Sequence, residues 1–226
     1  MGSTELQRRQ ELSAFFGNLM HESASFLAAR EFAFCRNNIS RSGVVYCKPT
    51  GYNGGPFNHP YCTPGNGCFC STQVPESSIS GYVEASKLFI GRGPMQLSHN
   101  YNYVDAGAAL GVDLCANPDL VATNEEYAWK TAIWFWMTRG GRSVRTCHDS
   151  VIMNQDFGGT LDTINGGLEC PAAASHRESV VKRMDLYCKA AKALDVGLMS
   201  LAACNGLQAS LNNCRAAGTC QECQGL

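Results

Sequence analysis

Residues 91–103 read Gly-Arg-Gly-Pro-Met-Gln-Leu-Ser-His-Asn-Tyr-Asn-Tyr. Over most of its length this stretch follows neither a helical nor a strand hydrophobic period. Gly91, Gly93 and Pro94 dictate an irregular backbone path. Gln96, Asn100 and Asn102 offer amide donors and acceptors, Ser98 a hydroxyl, and Tyr101 and Tyr103 flat apolar faces with a polar tip. A neutral ligand rich in hydroxyl and amide groups asks for that chemistry, and N-acetylated sugars are such a class. A polar turn leading into a helix fits the same composition. The second group of interest is the carboxyl of Glu22. It stands three residues after Leu19, seven after Phe15 and four before Phe26. That spacing places it on the apolar stripe of its own helix. An apolar setting favours the neutral acid, and a proton-carrying carboxyl is what glycosidic cleavage needs to protonate its leaving oxygen. The competing reading is a structural carboxylate paired with an arginine such as Arg183.

The stretch at 91–103 resembles the Gly-Arg-Gly-Pro-Ile-Gln-Leu-Ser-x-Asn-Tyr-Asn-Tyr segment of glycoside hydrolase family 19, the plant-type chitinases, with Met95 for Ile as the main change. His21-Glu22-Ser23 is similar to the family's His-Glu-Thr. Ile164-Asn165-Gly166-Gly167-Leu168-Glu169-Cys170 is similar to its Ile-Asn-Gly-Gly-x-Glu-Cys, and Thr131–Met137 matches a family core helix. The resemblance covers roughly residues 11–190 and stops before the last thirty-odd residues.

The resemblance implies an endo-acting chitinase that cleaves β-1,4 links between N-acetylglucosamine units with inversion. Glu22 aligns with the general acid and Ser98 with a serine that holds the attacking water. Gln96, Tyr101, Asn102, Asn165 and Arg183 align with sugar-contacting or cleft-organising positions, with His21 and Lys87 as further substrate-site positions. Each has a plainer reading: Gln96 and Asn102 as caps of backbone groups, Asn165 as a turn residue before Gly166-Gly167, Arg183 as the ion-pair partner of Glu169. An inverting enzyme also needs a second carboxylate, ~6.5–9.5 Å from the first, to activate water. Family members place it shortly after the cysteine matching Cys35. Here that segment reads Cys35-Arg36-Asn37-Asn38-Ile39-Ser40, which aligns Asn38 with the base. Glu31, Glu76 and Glu84 are nearby carboxylates outside that motif. The alternative function is therefore a chitin-binding, chitinase-like protein with weak or no catalysis. Peptidoglycan shares the N-acetylglucosamine unit and remains an open substrate. A purely structural disulfide-rich protein is disfavoured by the sugar-contact segment.

Composition narrows the partners. The net charge is −1 and only 16% of residues are charged. Such a chain lacks the basic face that nucleic acid or an anionic membrane requires, and no segment is apolar for long enough to span a bilayer. Chitin or chito-oligosaccharides are the expected partners of a monomer. The reading implies no cofactor and no metal. Thirteen cysteines, at 35, 47, 62, 68, 70, 115, 147, 170, 188, 204, 214, 220 and 223, predict disulfides and a secreted, extracellular setting. Zinc at Cys214, Cys220 and Cys223 is the competing reading, with no histidine near to complete a site. Asn38-Ile39-Ser40 is an N-glycosylation sequon. The polar N-terminus is not a signal peptide, and Leu6 spoils a myristoylation motif. The family pairs the cysteine matching Cys35 with one upstream of the His-Glu motif. Only twenty residues precede His21, so Cys35 is expected to be unpaired, its partner lost with an N-terminal segment.

The elements that position these residues are mostly helices. Leu12, Phe15, Leu19, Glu22 and Phe26 recur at helical spacing over residues 5–29. Residues 41–86 read as a long disulfide-held loop rich in Gly, Pro, Asn and Ser. Residues 124–139 read as a buried helix, apolar nearly all round, with Thr123 and Glu126 as a capping box and Gly140-Gly141 as its stop. Residues 176–195 carry an apolar stripe through Val181, Met184, Tyr187, Ala191 and Leu194. The fold class is mainly α, and the resemblance implies a lysozyme-like two-lobed domain with a substrate cleft and disulfide-stapled loops. Residues 1–200 are expected to form the catalytic domain and residues 201–226 a Cys-rich tail.

Overall fold

The computed structural model describes residues 2–31, 38–47, 68, 82–140, 144–170 and 177–226. Eight α-helices run in chain order among them: α1 (Glu5–Glu22), α2 (Asn100–Leu110), α3 (Leu120–Thr123), α4 (Glu125–Thr138), α5 (Cys147–Ile152), α6 (Phe157–Glu169), α7 (Arg177–Ala193) and α8 (Leu207–Ala216). A small antiparallel sheet joins β1 (Asn38–Arg41), β2 (Val44–Cys47) and β3 (Val83–Glu84) in that order. The mainly α class read from the sequence is what these residues form. The chain divides into two compact units, Met1–Ser25 with Trp136–Leu226, and Phe26–Phe135.

In the first unit α1 lies along α7. Thr4 and Gln7 close a reciprocal capping box at the start of α1. Gly17 lets the two backbones meet: a Cβ there would sit 2.7 Å from the Cα of Tyr187. The Tyr187 ring stacks on Phe157 of α6 at 3.8 Å, and Leu19, Leu161, Val180 and Met184 close the core around them. Each such side chain, fully buried, contributes about 1.5–3 kcal/mol. α7 matches the helix expected over 176–195. The C-terminal residues pack on it: Cys188 bonds Cys223, Cys170 bonds Cys204, Cys214 bonds Cys220, and the Glu222 N–H donates to Asp185. The three cysteines that could have held zinc are thus spent in disulfides.

α1 is shorter than its apolar pattern. It ends at Glu22, where the Ser23 hydroxyl and N–H both turn back to the Leu19 carbonyl. Ala24, Ser25 and Phe26 then take left-handed φ of 50°, 60° and 66°. Each such L residue is disfavoured by about 1–2 kcal/mol. Phe26 therefore does not continue the stripe of α1.

In the second unit Phe89, Leu97, Tyr103, Ala106, Leu114 and Val121 form the core, with Trp134 and Phe135 of α4 against it. The Cys68–Cys115 disulfide staples this core. Two expectations for α4 change. Its cap is Asn124, whose side chain accepts from the Tyr127 N–H, while Thr123 closes α3 and bonds the Asp119 carbonyl. The helix is not buried all round: Trp129, Ile133 and Met137, four residues apart, are 39%, 52% and 38% exposed. The 41–86 stretch also holds strand as well as loop. Ser42 and Gly43, both at positive φ, make the two-residue turn that joins β1 to β2. Among the described residues the unpaired cysteine is Cys147, fully buried at the start of α5. Cys35 lies outside the described residues, as does Glu76.

Candidate active site

The first unit gathers Glu22, His21, Asn165 and Arg183. Arg183, on α7, is 1% exposed, and all three of its guanidinium nitrogens donate. Its Nε and Nη2 grip both Glu169 oxygens at 2.9 and 2.8 Å, Nη1 donates to Asn18 Oδ1 at 3.0 Å, and Nη2 reaches Glu22 Oε1 at 2.6 Å. Asn18 is fixed in turn by the Ala14 carbonyl and the Thr160 hydroxyl. Asn165 breaks the helical φ/ψ of α6 and donates to Glu169 Oε1 at 2.9 Å. Burial alone would raise the Glu169 carboxyl; the charge and hydrogen bonds of Arg183, with Asn165, hold it below the usual carboxylate range instead. Burial opposes the Arg183 charge too, but Glu22 and Glu169 together raise its pKa. His21 donates to or accepts from the Ser179 hydroxyl at 3.1 Å, and its Nδ1 is buried without a partner. Burial first, then the nearby Arg183 charge, push its pKa down to about 3, so the ring is neutral at neutral pH.

The charge count of this cluster has a chemical consequence. One cation faces two carboxylates, and His21 adds no charge. The bidentate Arg183–Glu169 pair is complete on its own. Glu22 is the outer member, its side chain 20% exposed and one oxygen on the shared cation. The apolar stripe expected around Glu22 is thus replaced by an arginine, and the pairing of Arg183 with Glu169 is present as read.

The second unit gathers Gln96, Ser98, Tyr101, Asn102 and Lys87. A fully buried Arg92 organises the turn that carries them. It donates to Asp119 Oδ1 at 3.0 Å, to the Tyr103 hydroxyl at 3.0 Å and to the carbonyls of Ala85, Ser86 and Leu88. Arg92 and Leu97 exchange backbone hydrogen bonds at 3.1 and 2.9 Å, closing residues 92–97 into a tight loop. Gly93 turns it at φ 70°, where a Cβ would lie 3.1 Å from Val121. Gln96, at φ 50°, donates to the Gly93 carbonyl at 2.9 Å and the Ala28 carbonyl at 3.4 Å. The Asn102 amide, on α2, donates to the Ser98 carbonyl at 2.8 Å. Both amides therefore do the capping that a plain reading gave them, and in doing so fix the loop on which Ser98 stands. Tyr101 stacks on His99, centroids 5.1 Å apart. Lys87 is exposed and donates to the Ala116 carbonyl at 3.2 Å.

A carboxylate outside the expected motif joins this loop. The Glu31 N–H donates to the Gly91 carbonyl at 2.9 Å, and the Gly91 N–H approaches Glu31 Oε2 at 3.4 Å. A Cβ built at Gly91 would lie 2.9 Å from Gln96 Oε1 and 3.4 Å from Glu31 Oε2. The Glu31 carboxylate and the Gln96 amide thus flank one glycine. Glu31 also lines a cavity of about 570 Å³ with Arg30, Val44, Glu84, Ser86 and Asp119. Arg30 and Asp119 pair bidentately at 2.8 and 2.6 Å. Asn38 contributes its backbone to β1, opposite Cys47; its side chain lies outside the described residues.

An arginine–carboxylate cluster stands in one unit, and an amide-rich loop beside a carboxylate stands in the other. The sequence matches the family described as chitinase class I over residues 48–204, and the chain belongs to glycoside hydrolase family 19. An endochitinase of Solanum tuberosum is 34% identical over 199 residues, 80% of this chain and 51% of that protein. Endochitinase B of Nicotiana tabacum is 33% identical over 199 residues, 80% of this chain and 52% of that protein. The chain thus spans about half the length of the curated relatives it matches. Chitinase C of Streptomyces griseus has a similar structure, with a TM-score of 0.63 at 29% identity over 88% of this chain and 78% of that one. The class IV chitinase of Zea mays gives 0.60 at 28% identity, over 88% and 75%.

Proposed function

We propose that this chain is an endo-acting chitinase that hydrolyses β-1,4-linked N-acetylglucosamine polymers with inversion. Glu22 is the general acid. The second carboxylate is Glu31, rather than a residue at position 38. The observation that carries this reading is the meeting of Glu31 with Gln96 across Gly91, on the loop that presents Ser98. Glu31 accepts the proton of the attacking water, and Ser98 holds that water. Asn102 holds the Ser98 carbonyl, and Gln96 braces the loop. Arg183, Glu169 and Asn165 position Glu22. His21 stays neutral behind it, and Glu22 delivers a proton to the leaving oxygen. Tyr101 and Lys87 are proposed to meet the outer sugar units. The protein acts as a secreted monomer. Its disulfides support an oxidising setting, and no helix among the described residues is long and apolar enough to cross a membrane. Residues 1–200 are proposed as the catalytic domain and 201–226 as a tail.

The test is hydrolysis of colloidal chitin and chitohexaose, with product anomers read by NMR. α-Anomers as first products and loss of turnover in Glu31→Gln support the assignment. Normal turnover in Glu31→Gln, with Glu84→Gln inactive, would hand the base role to Glu84. Binding of chitohexaose without turnover in the wild type would establish the chitin-binding, non-hydrolytic alternative.

A further inference from the structure

The left-handed run after Glu22 ends in an aromatic ring held outward. Phe26 is 45% exposed and Leu27, beside it, 86% exposed. The Phe26 ring meets Trp129 of α4 with centroids 5.9 Å apart and planes inclined at 41°. Trp129 is 39% exposed, and Ile133, one helical turn further, 52% exposed. Two rings and two aliphatic side chains thus lie on the outside of the second unit. Isolated exposed apolar residues need no explanation, but an adjoining group does. A turn of three left-handed L residues that leaves a ring outside the core is the kind of local strain that function retains.

The position of this group identifies its occupant. The Ala28 carbonyl accepts from the Gln96 amide at 3.4 Å and the Ala29 carbonyl from the Gly93 N–H at 3.0 Å. A side chain at Gly93 would come 3.6 Å from the Cα of Ala128, next to Trp129. The segment that carries Phe26 and Leu27 is therefore fastened to the loop that presents Gln96 and Ser98, and the Phe26 ring joins Trp129 to it. Phe26, Leu27, Trp129 and Ile133 carry no charge, and neither does a chain of N-acetylglucosamine. The faces of its pyranose rings are C–H-rich and stack on aromatic planes.

We propose that Phe26 and Trp129, with Leu27 and Ile133, form an outer docking surface for polymeric chitin, separate from the units held at Gln96 and Ser98. This rests on the chitinase reading above. The surface engages chains too long or too ordered to be held by the loop alone, and it sets preference for insoluble over short soluble substrate. The test compares the wild type, Trp129→Ala, Trp129→Tyr and Ile133→Ser on insoluble chitin and on chitotetraose. Depletion assays measure binding to the solid, and rates are taken on both substrates. For Trp129→Ala the apparent Kd on insoluble chitin rises about tenfold and the insoluble-to-soluble rate ratio falls about fivefold, as for the loss of one aromatic stack. Tyr at 129 restores most of both, and Ile133→Ser moves them the same way by less. Unchanged binding to the solid, equal loss on both substrates in a variant with wild-type Tm, or no rescue by Tyr would each overturn the proposal. A dimer that dissociates on Trp129→Ala in sedimentation would assign the surface to a second copy and overturn it too. A wild type that cleaves chitotetraose but ignores the solid sinks this proposal alone. One that does neither sinks the chitinase reading with it.

Discussion

Glu22 is the last residue of its helix and the outermost of three groups sharing one arginine. Glu22→Gln keeps the hydrogen bond to Arg183 and removes the transferable proton. Chitin hydrolysis should fall by about two or more orders of magnitude while chitohexaose binding, read by calorimetry, survives. Glu31→Gln should cost turnover on the same scale, and Asn38→Glu should leave it where it was. The double variant Glu22→Gln/Glu31→Gln should be little worse than either alone, because the two act as a unit. His21 makes a prediction about stability. Its folded pKa of about 3 lies below the usual histidine value of 6.5, so between those pH values the unfolded chain binds a proton that the folded one refuses. The folded state is therefore undisturbed by this group above about pH 6.5 and loses stability as pH falls toward 3, at up to about 1.4 kcal/mol per pH unit. Glu169, held low by Arg183, works in the same direction at more acid pH. Urea midpoints measured from pH 7 to pH 4 should fall less steeply in His21→Gln than in the wild type. Parallel slopes would show that His21 titrates normally. The sequence marks Glu31 only as a nearby carboxylate outside the motif, because its contact with Gly91 spans sixty residues of chain. Nothing in the local pattern at Arg30-Glu31-Phe32 announces it.

At the scale of the element, the packing of α1 on α7 sets where Glu22 and Arg183 meet. Gly17→Ala inserts a methyl against the Tyr187 backbone, which cannot move aside as a side-chain tip would. We expect a loss of about 1–3 kcal/mol in urea unfolding, with a parallel drop in turnover as the two helices shift. Asn124→Ala removes the cap of α4 and should cost about 1 kcal/mol, whereas Thr123→Ala, the position the capping pattern favoured, should cost less. The helices were legible where apolar spacing and packing agree, as along Met184, Tyr187 and Ala191 of α7. The end of α1 was not legible: Phe26 keeps the period, but the Ser23 hydroxyl closes the helix before it. The exposed face of α4 was hidden for a related reason. Composition reports how apolar a helix is, and only the tertiary fold decides which of those side chains are covered.

For the molecule as a whole, cysteine count announced covalent cross-linking but not its pattern. The order along the chain is Cys170, Cys188, Cys204, Cys223, and the bonds join first to third and second to fourth. The two covalent rings therefore interlace. A single backbone cut anywhere from 171 to 222 leaves both pieces tied by at least one sulfur–sulfur bond. Such a cut resembles a break in one strand of a rope rather than a severed end, and the helix that carries Arg183 stays attached to the helices around it. A single cut in this quarter of the chain is then survivable. Limited trypsin digestion should yield material cut in this region that migrates as one band on non-reducing gels and as two after reduction. That cut material should also retain most of its chitinase activity until thiol is added. Fragments that separate without reductant would mean that the interlaced pairing does not form.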